Sequence, residues 1–126
     1  MTAYNQNMKD FRQLKVWEKS HQPALAIYKI TAKFPKEELY GLTSQVRRAS
    51  MSIPTNIAEG CGRNTDADFA RFLQMAMGSA SETEYQLLLS LDLGFLNKEQ
   101  YDKLNPDVTE VKRMLASLLR TLRADR

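Results

Sequence analysis

The sequence predicts an all-α protein, folded as an antiparallel up-down-up-down four-helix bundle in a single domain. Glycine and proline are scarce, with five and four among 126 residues, which favours helices. Apolar residues recur at steps of three and four along most of the chain. Short polar stretches separate the periodic segments, and short connections place consecutive helices side by side. We expect residues 11–124 to form the bundle and residues 1–10 to form a loose arm.

The first helix is predicted from a run of residues with helical spacing, namely Leu14, Trp17, Leu25, Tyr28 and Thr31. Phe34-Pro35 ends the run. Pro23 falls inside it, and a proline removes one backbone hydrogen bond, so a kink near Ser20 is expected.

The second helix is predicted from Thr43, its N-cap, to about Cys61. Its apolar stripe keeps one phase through Pro54, which indicates one kinked helix rather than two segments. The stripe consists of Leu42, Val46, Ala49, Ile53 and Ile57. Pro54 cannot donate to the carbonyl of Ser50, and we expect Ser52 or Asn56 to do so instead.

The third helix is predicted from about Asp66 to Leu93, with Thr65 or Asp66 as its cap and Gly94 as its stop. Its inner face consists of Phe69, Leu73, Ala76, Ala80, Leu87 and Leu91. Asn97 and Gln100 predict a capping box that opens the fourth helix.

The fourth helix has the most regular period in the chain, the seam typical of helical bundles. The seam consists of Tyr101, Leu104, Val108, Val111, Leu115, Leu118 and Leu122. Pro106 lies off the seam. Either the helix kinks there, or Asn105 caps a new helix that starts at Pro106.

Several function classes are excluded by composition. No apolar run approaches the ~20 residues that a membrane span requires, and the first ten residues lack the apolar core of a signal peptide. We therefore expect a cytoplasmic protein with no membrane partner. The single Cys61 excludes an internal disulfide.

Catalysis and metal binding find little support in the sequence. Glu18 and His21 have the spacing of a helical metal-ligand pair, but His21 is the only histidine. No glycine-rich phosphate loop or nucleophile elbow is present. We predict no catalytic residue, no metal and no cofactor.

A polar line along the second helix, continued by Glu82 on the third, is interpreted as pairing chemistry between helices or between subunits. Its members are Arg48, Ser52, Asn56, Glu59 and Glu82. Phosphate contact and a buried acid–base site are the alternatives. Four aromatic residues are interpreted as core rather than as stacking platforms for bases: Tyr28, Tyr40, Phe69 and Phe72.

A basic set is the candidate for binding RNA or DNA. It comprises Arg47, Arg48, Arg63, Lys112, Arg113, Arg120 and Arg123. Residues 1–62 and 103–126 are net basic, whereas residues 63–102 are net acidic, a pattern that suits contact between helices or subunits. A merely solvated face is the alternative for the basic side chains of the last helix.

Several motifs resemble one known family over roughly residues 11–123. They include Phe11-Arg12-Gln13-Leu14-Lys15-Val16-Trp17, Glu38-Leu39-Tyr40-Gly41-Leu42, Ser52-Ile53-Pro54 and Asn56-Ile57-Ala58-Glu59-Gly60. In this order they resemble the 23S ribosomal RNA intervening-sequence proteins, also called four-helix bundle proteins. Pro23 and Pro106 depart from the family's usual pattern.

The resemblance implies a homopentamer of four-helix bundles without known catalysis. It also implies kinship with the accessory variability proteins of diversity-generating retroelements, basic pentamers that bind nucleic acid and a reverse transcriptase. Two functions are therefore expected: an oligomer that presents a basic surface to RNA or to a nucleic-acid-processing protein, or a protein-interaction scaffold that binds no nucleic acid.

Overall fold

The structure, a computed structural model, describes residues 10–124 and is all-helical over that range, without a strand. Four long helices follow one another: α1 (Lys15–Thr31), α2 (Leu42–Cys61), α3 (Asp66–Asp92) and α4 (Lys98–Ala124). Short 3-10 turns at Phe11–Gln13 and Lys36–Glu38 precede α1 and α2. The arm predicted for residues 1–10 lies outside the described residues except for Asp10, whose carboxylate caps the first turn.

The long helices pack in cyclic order, α1 on α2, α2 on α3, α3 on α4 and α4 on α1, as is consistent with a four-helix bundle. A single buried cluster lies between them, to which each long helix contributes. Its most enclosed side chains include Ile27, Ile57, Leu73, Val108 and Leu115. No helix among residues 10–124 combines the length and the apolar character needed to cross a membrane.

The prolines do not interrupt their helices. Pro23, Pro54 and Pro106 each lie inside a continuous helix. The possibility that Asn105 caps a new helix at Pro106 is therefore wrong. The Asn105 side-chain oxygen has no hydrogen-bond partner among residues 10–124.

The predicted caps of α3 and α4 are confirmed. The Thr65 hydroxyl accepts from the backbone N–H of Asp68 at 3.1 Å. Asn97 and Gln100 exchange backbone-to-side-chain bonds of 2.8 and 3.0 Å, as a capping box requires. Gly94 follows α3 with a φ of 80°, a left-handed backbone conformation that glycine adopts more readily than residues with a Cβ atom.

The predicted cap of α2 is wrong, because Thr43 lies inside the helix and is buried. The helix instead starts at Leu42, after Gly41. The Glu38 carboxylate accepts from the Leu42 backbone N–H at 3.2 Å, so the cap comes from the preceding turn.

The helices α2 and α3 meet closely where α2 ends. A Cβ atom at Gly60 would lie 2.8 Å from Phe69 Cδ1 and 3.1 Å from Phe72 Cβ, closer than carbon atoms pack. Phe69 is buried and cannot move aside easily. Gly60 is therefore required for the approach of the two helices.

We predict that Gly60→Ala lowers the free energy of unfolding by about 1–3 kcal/mol, because the new methyl group overpacks the contact with Phe69. Urea denaturation at fixed protein concentration measures the change. Gly78→Ala is the control, since, apart from the adjacent residues and the backbone of its own helix, no described atom lies within 4 Å of its Cβ position. That variant should gain about 0.5–1 kcal/mol from helix propensity. Equal shifts for the two variants would contradict the packing account.

Candidate nucleic-acid and assembly surfaces

The polar side chains along α2 form their hydrogen bonds mainly within that helix. The Ser52 hydroxyl donates to the carbonyl of Arg48 at 2.7 Å, and the Asn56 amide donates to the carbonyl of Ser52 at 2.9 Å. Arg48 donates to the Gln45 side chain at 3.3 Å. These side chains therefore have partners without a second helix or a ligand.

The expectation that Ser52 or Asn56 bonds the Ser50 carbonyl is wrong. A helical side chain reaches the carbonyl one turn earlier, three or four residues back. For Ser52 and Asn56 those carbonyls are Arg48 and Ser52, the ones that the structure pairs with them. The carbonyl of Ser50 lies two residues before Ser52 and six before Asn56, which places it out of reach.

The two acidic residues of the polar line, Glu59 and Glu82, do not pair across helices within the described chain. Glu59 lies 3.7 Å from Arg63, and Glu82 accepts from the Gln86 amide at 3.2 Å. Arg48, Glu59 and Glu82 are all exposed to solvent. Neither pairing between these helices nor a buried acid–base site is therefore formed by these three residues in the single chain.

Arg47 holds α2 against the end of α1. Its Nε donates to the Thr31 hydroxyl at 2.8 Å and its Nη2 donates to the Tyr28 carbonyl at 3.3 Å. Its guanidinium also lies 5.0 Å from the centre of the Tyr28 ring. A cation at the carboxyl end of a helix is favoured by the helix dipole. Arg47 is thus an inter-helix anchor.

Arg63 and Arg71 lie over the same aromatic ring. Their guanidinium carbons are 4.6 and 4.7 Å from the centroid of the Phe72 ring, whose residue is buried. Both arginines are exposed and pair loosely with acidic neighbours on their own segments, Glu59 and Asp68. Arg63 therefore keeps donors that face solvent.

Two basic residues in the middle of α4 have acidic partners. Lys112 Nζ lies 2.9 Å from a Glu84 carboxylate oxygen and joins α4 to α3. Arg113 binds Glu110 through two nitrogens. The hydrogen bond to Arg113 holds the pKa of Glu110 below its usual value, and the same bond raises the pKa of Arg113.

Arg120 and Arg123 differ from the other members of the basic set. They are exposed and form no ion pair with another residue of the described chain. They line a groove of about 440 Å³ between α3 and α4, together with Gln74 and Met77.

The seven basic residues do not form one patch. Arg47 and Arg48 lie near the start of α2, whereas Arg63 lies beyond its end. Those positions are about 22 Å apart along the helix axis at 1.5 Å per residue. Lys112 and Arg113 lie near the middle of α4 and have acidic partners, whereas Arg120 and Arg123 lie toward the end of that helix. The set therefore divides among several regions of the surface.

An apolar groove between α1 and α2 was not anticipated from the sequence. It has a volume of about 580 Å³. Trp17, Leu25, Tyr28, Met51, Pro54 and Ala58 are among its lining residues. The interpretation of Tyr28 and Tyr40 as core residues is wrong, because both side chains are exposed; Phe69 and Phe72 are buried as predicted. The groove could have been suspected from Met51, a large apolar residue off the inner stripe of α2.

The two other candidates for reactive chemistry, His21 and Cys61, are held by packing contacts. His21 stacks on Trp17, with ring centroids 4.8 Å apart and planes inclined by 15°. Burial, with a contribution from Asp10, raises the pKa of the Cys61 thiol to about 11. A raised pKa opposes the thiolate form that nucleophilic attack requires. Within the described residues, no three His, Cys, Asp or Glu side chains gather where they could hold a metal ion.

The geometry defines a small all-helical protein whose exposed features are arginine clusters and an apolar groove. The chain belongs to the 23S rRNA-intervening sequence protein family, whose model matches residues 12–117. It is also similar to the crystal structure of a protein with unknown function from the S23 ribosomal protein family of Bacteroides thetaiotaomicron. The two share 33% identity with a TM-score of 0.75, over 82% of this chain and 97% of the other. No curated protein matches the chain.

We predict that Arg47→Ala costs about 1–2 kcal/mol of unfolding free energy, because it removes charged hydrogen bonds that join α1 and α2. Arg48→Ala removes only an exposed bond within its helix and should cost no more than about 0.5 kcal/mol. Thermal and urea unfolding of the two neighbouring variants provide the comparison. A larger loss for Arg48→Ala would contradict this assignment and would place Arg48 in a subunit contact.

We predict that Cys61 in the folded protein reacts slowly with a disulfide reagent at pH 8. A pKa near 11 instead of 9.0 lowers the thiolate fraction by about 100-fold at that pH. The rate of thiol release, followed spectroscopically with and without denaturant, measures the difference. The folded rate should keep rising as the pH passes 9. A rate close to that of the unfolded chain would show that the thiol is accessible and ionised.

Proposed function

We propose that this protein is a non-enzymatic, homo-oligomeric helical bundle that presents a basic surface to RNA or to a ribonucleoprotein partner in the cytoplasm. In this proposal the four helices run antiparallel and the bundles assemble into a homopentamer, as the family resemblance implies. Two observations favour the antiparallel arrangement. Glu84 of α3 pairs with Lys112 of α4, whereas the earlier Gln74 shares a groove with the later Arg120.

Arg120 and Arg123 carry the RNA part of the proposal. A phosphate group is bound best by guanidinium donors that have no carboxylate partner, and these two arginines form no ion pair with another described residue. Arg63 adds solvent-facing donors beside Arg71 and Phe72. Arg47, Lys112 and Arg113 contribute less, because their donors already bind protein groups.

The alternative is a protein-interaction scaffold that binds no nucleic acid. The apolar groove between α1 and α2 favours it, because contiguous exposed apolar surface marks interaction sites. In this alternative, polar residues would pair at a subunit boundary: Arg48, Ser52, Asn56, Glu59 and Glu82. Arg48, Glu59 and Glu82 are exposed in the single chain and Ser52 and Asn56 are half-buried, so the charged members are accessible for such pairing.

We predict that the protein binds structured RNA and that its affinity falls steeply with added salt, because each neutralised phosphate releases counterions. Replacing Arg120 and Arg123 by Gln should weaken binding to every sequence and reduce the slope of log affinity against log salt by about 2. Fluorescence anisotropy with ribosomal RNA fragments measures both quantities.

The matched control replaces Lys98 and Lys103 by Gln. These residues also lie on α4, at its opposite end, and each pairs with an acidic residue one turn away. That variant removes the same charge and should leave the slope unchanged. No detectable binding of the unmodified protein at ~50 mM salt, a permissive condition on that scale, would eliminate RNA binding and favour the scaffold.

A further inference from the structure

The apolar groove between α1 and α2 has two distinct ends. At one end the ring of Phe11 contacts that of Trp17, with their centroids 4.8 Å apart. At the other end the Tyr28 hydroxyl donates to the Met51 sulfur at 4.0 Å. Trp17 and Tyr28 are eleven residues apart on α1, so the groove is about 16 Å long. Contiguous apolar surface of this kind marks a contact site.

Nine residues of the chain precede the described range, and they join it at the Phe11 end of the groove. Asp10 caps the turn Phe11–Gln13, and this turn packs against both α1 and α2. Asp10 also contributes to the raised pKa of the Cys61 thiol, which places its carboxylate near the end of α2. Nine extended residues reach about 30 Å. Residues 1–9 are therefore long enough to run the whole length of the groove.

The composition of residues 1–9 suits an apolar surface. The segment reads Met1-Thr2-Ala3-Tyr4-Asn5-Gln6-Asn7-Met8-Lys9, and its large apolar side chains are those of Met1, Tyr4 and Met8. Methionine adapts to irregular apolar surfaces, and tyrosine adds a large ring with a polar tip. A segment on so short a tether is present at its site at an effective concentration on the order of millimolar. Weak contacts are therefore enough to hold it there.

The charges of the segment and of the groove are complementary. Among the described residues, Glu59 is the one acidic side chain that lines the groove, and neither lysine nor arginine lines it. The nearest Arg63 nitrogen lies 3.7 Å from the Glu59 carboxylate, too far for a close hydrogen bond. Residues 1–9 carry one basic side chain, Lys9, and no acidic one. Opposite charges at a contact favour one orientation of the segment.

We propose that residues 1–9 lie along the α1–α2 groove of their own chain, with Tyr4 and Met8 on its apolar side chains and Lys9 beside Glu59. The arm that the sequence predicts as loose is then held against the two helices. This inference depends neither on RNA binding nor on the homo-oligomer. In the scaffold alternative, a partner protein would compete with residues 1–9 for the groove.

The fluorescence of Trp17 tests whether the segment covers the groove, because Trp17 is the single tryptophan of the chain and lines the groove. The test variant carries Tyr4→Ser and Met8→Ser, which remove the apolar contacts. Its emission should move to longer wavelength, and acrylamide should quench it more strongly. The matched control, Asn5→Ser with Asn7→Ser, should behave as the unmodified protein does. Circular dichroism should show equal helix content, because all four positions lie outside the four long helices.

A spin label at Asn5→Cys tests where the segment lies. Cys61 is buried and its thiol pKa is raised, so labelling at neutral pH selects the new cysteine. The amide signal of Met51, at the far end of the groove, should be broadened strongly. The signal of Ser117, which shares a different groove with Gln13 where α1 meets α4, should change little. A segment that does not bind would broaden both signals alike.

A mixed sample separates the same chain from a second copy. It contains spin-labelled chains and isotope-labelled chains without a spin label, and in it the Met51 signal should stay sharp. Broadening in the mixed sample would assign the segment to the groove of another copy and would overturn the proposal. Equal quenching of Trp17 in the test variant and the unmodified protein, or equal broadening at Met51 and Ser117, would overturn it too. A failure to bind RNA or to assemble would appear in other measurements and would leave these results unchanged.

Discussion

The packing of α2 against its two neighbours is the interaction on which the rest of the structure depends. Val46, Ile53 and Ile57 are almost completely buried, so the rotation of α2 about its axis is fixed by one inward face. At the end of the helix, Gly60 allows Phe69 to approach. Once the inward face is set, every other position of α2 has a fixed direction. Arg47 then contacts α1, and Met51 lies along the groove.

The proline in the middle of α2 explains much of its unusual composition. Because Pro54 has no N–H, the helix loses one backbone hydrogen bond there. Around it, the side chains of Ser50, Ser52, Thr55 and Asn56 all donate to carbonyls three or four residues earlier. Such bonds bend helices and satisfy polar side chains locally. The small polar residues near Pro54 therefore serve the helix itself.

The helices and most of their ends could be predicted from the sequence, because periodicity and capping are local properties. The capping box at Asn97 and the stop at Gly94 are examples. The predicted cap of α2 was wrong because the residue that accepts from its first N–H, Glu38, lies in a separate turn. On α4, the regular period predicted Leu118 as a core residue, but Leu119 is more deeply buried. A periodic stripe predicts the direction of a face, not its width.

The candidate sites were less predictable, because side-chain partners depend on tertiary geometry. Arg47 and Arg48 are adjacent in sequence, yet one anchors α1 and the other faces solvent. Tyr28 has core spacing, but it lies at the edge of its stripe and borders the groove. The seven basic residues looked like one set in sequence, whereas the fold distributes them over α2, the connection between α2 and α3, and α4.

The proposed function holds that one chain completes its own core and that several such bundles assemble into a homo-oligomer. The most direct measurement is the molecular mass of the unmodified protein in solution, after nuclease treatment and in high salt to remove bound nucleic acid. Sedimentation equilibrium over a wide range of protein concentration would provide it. The account predicts a defined multiple of 14.5 kDa that persists without nucleic acid. A mass of one chain throughout that range would contradict it.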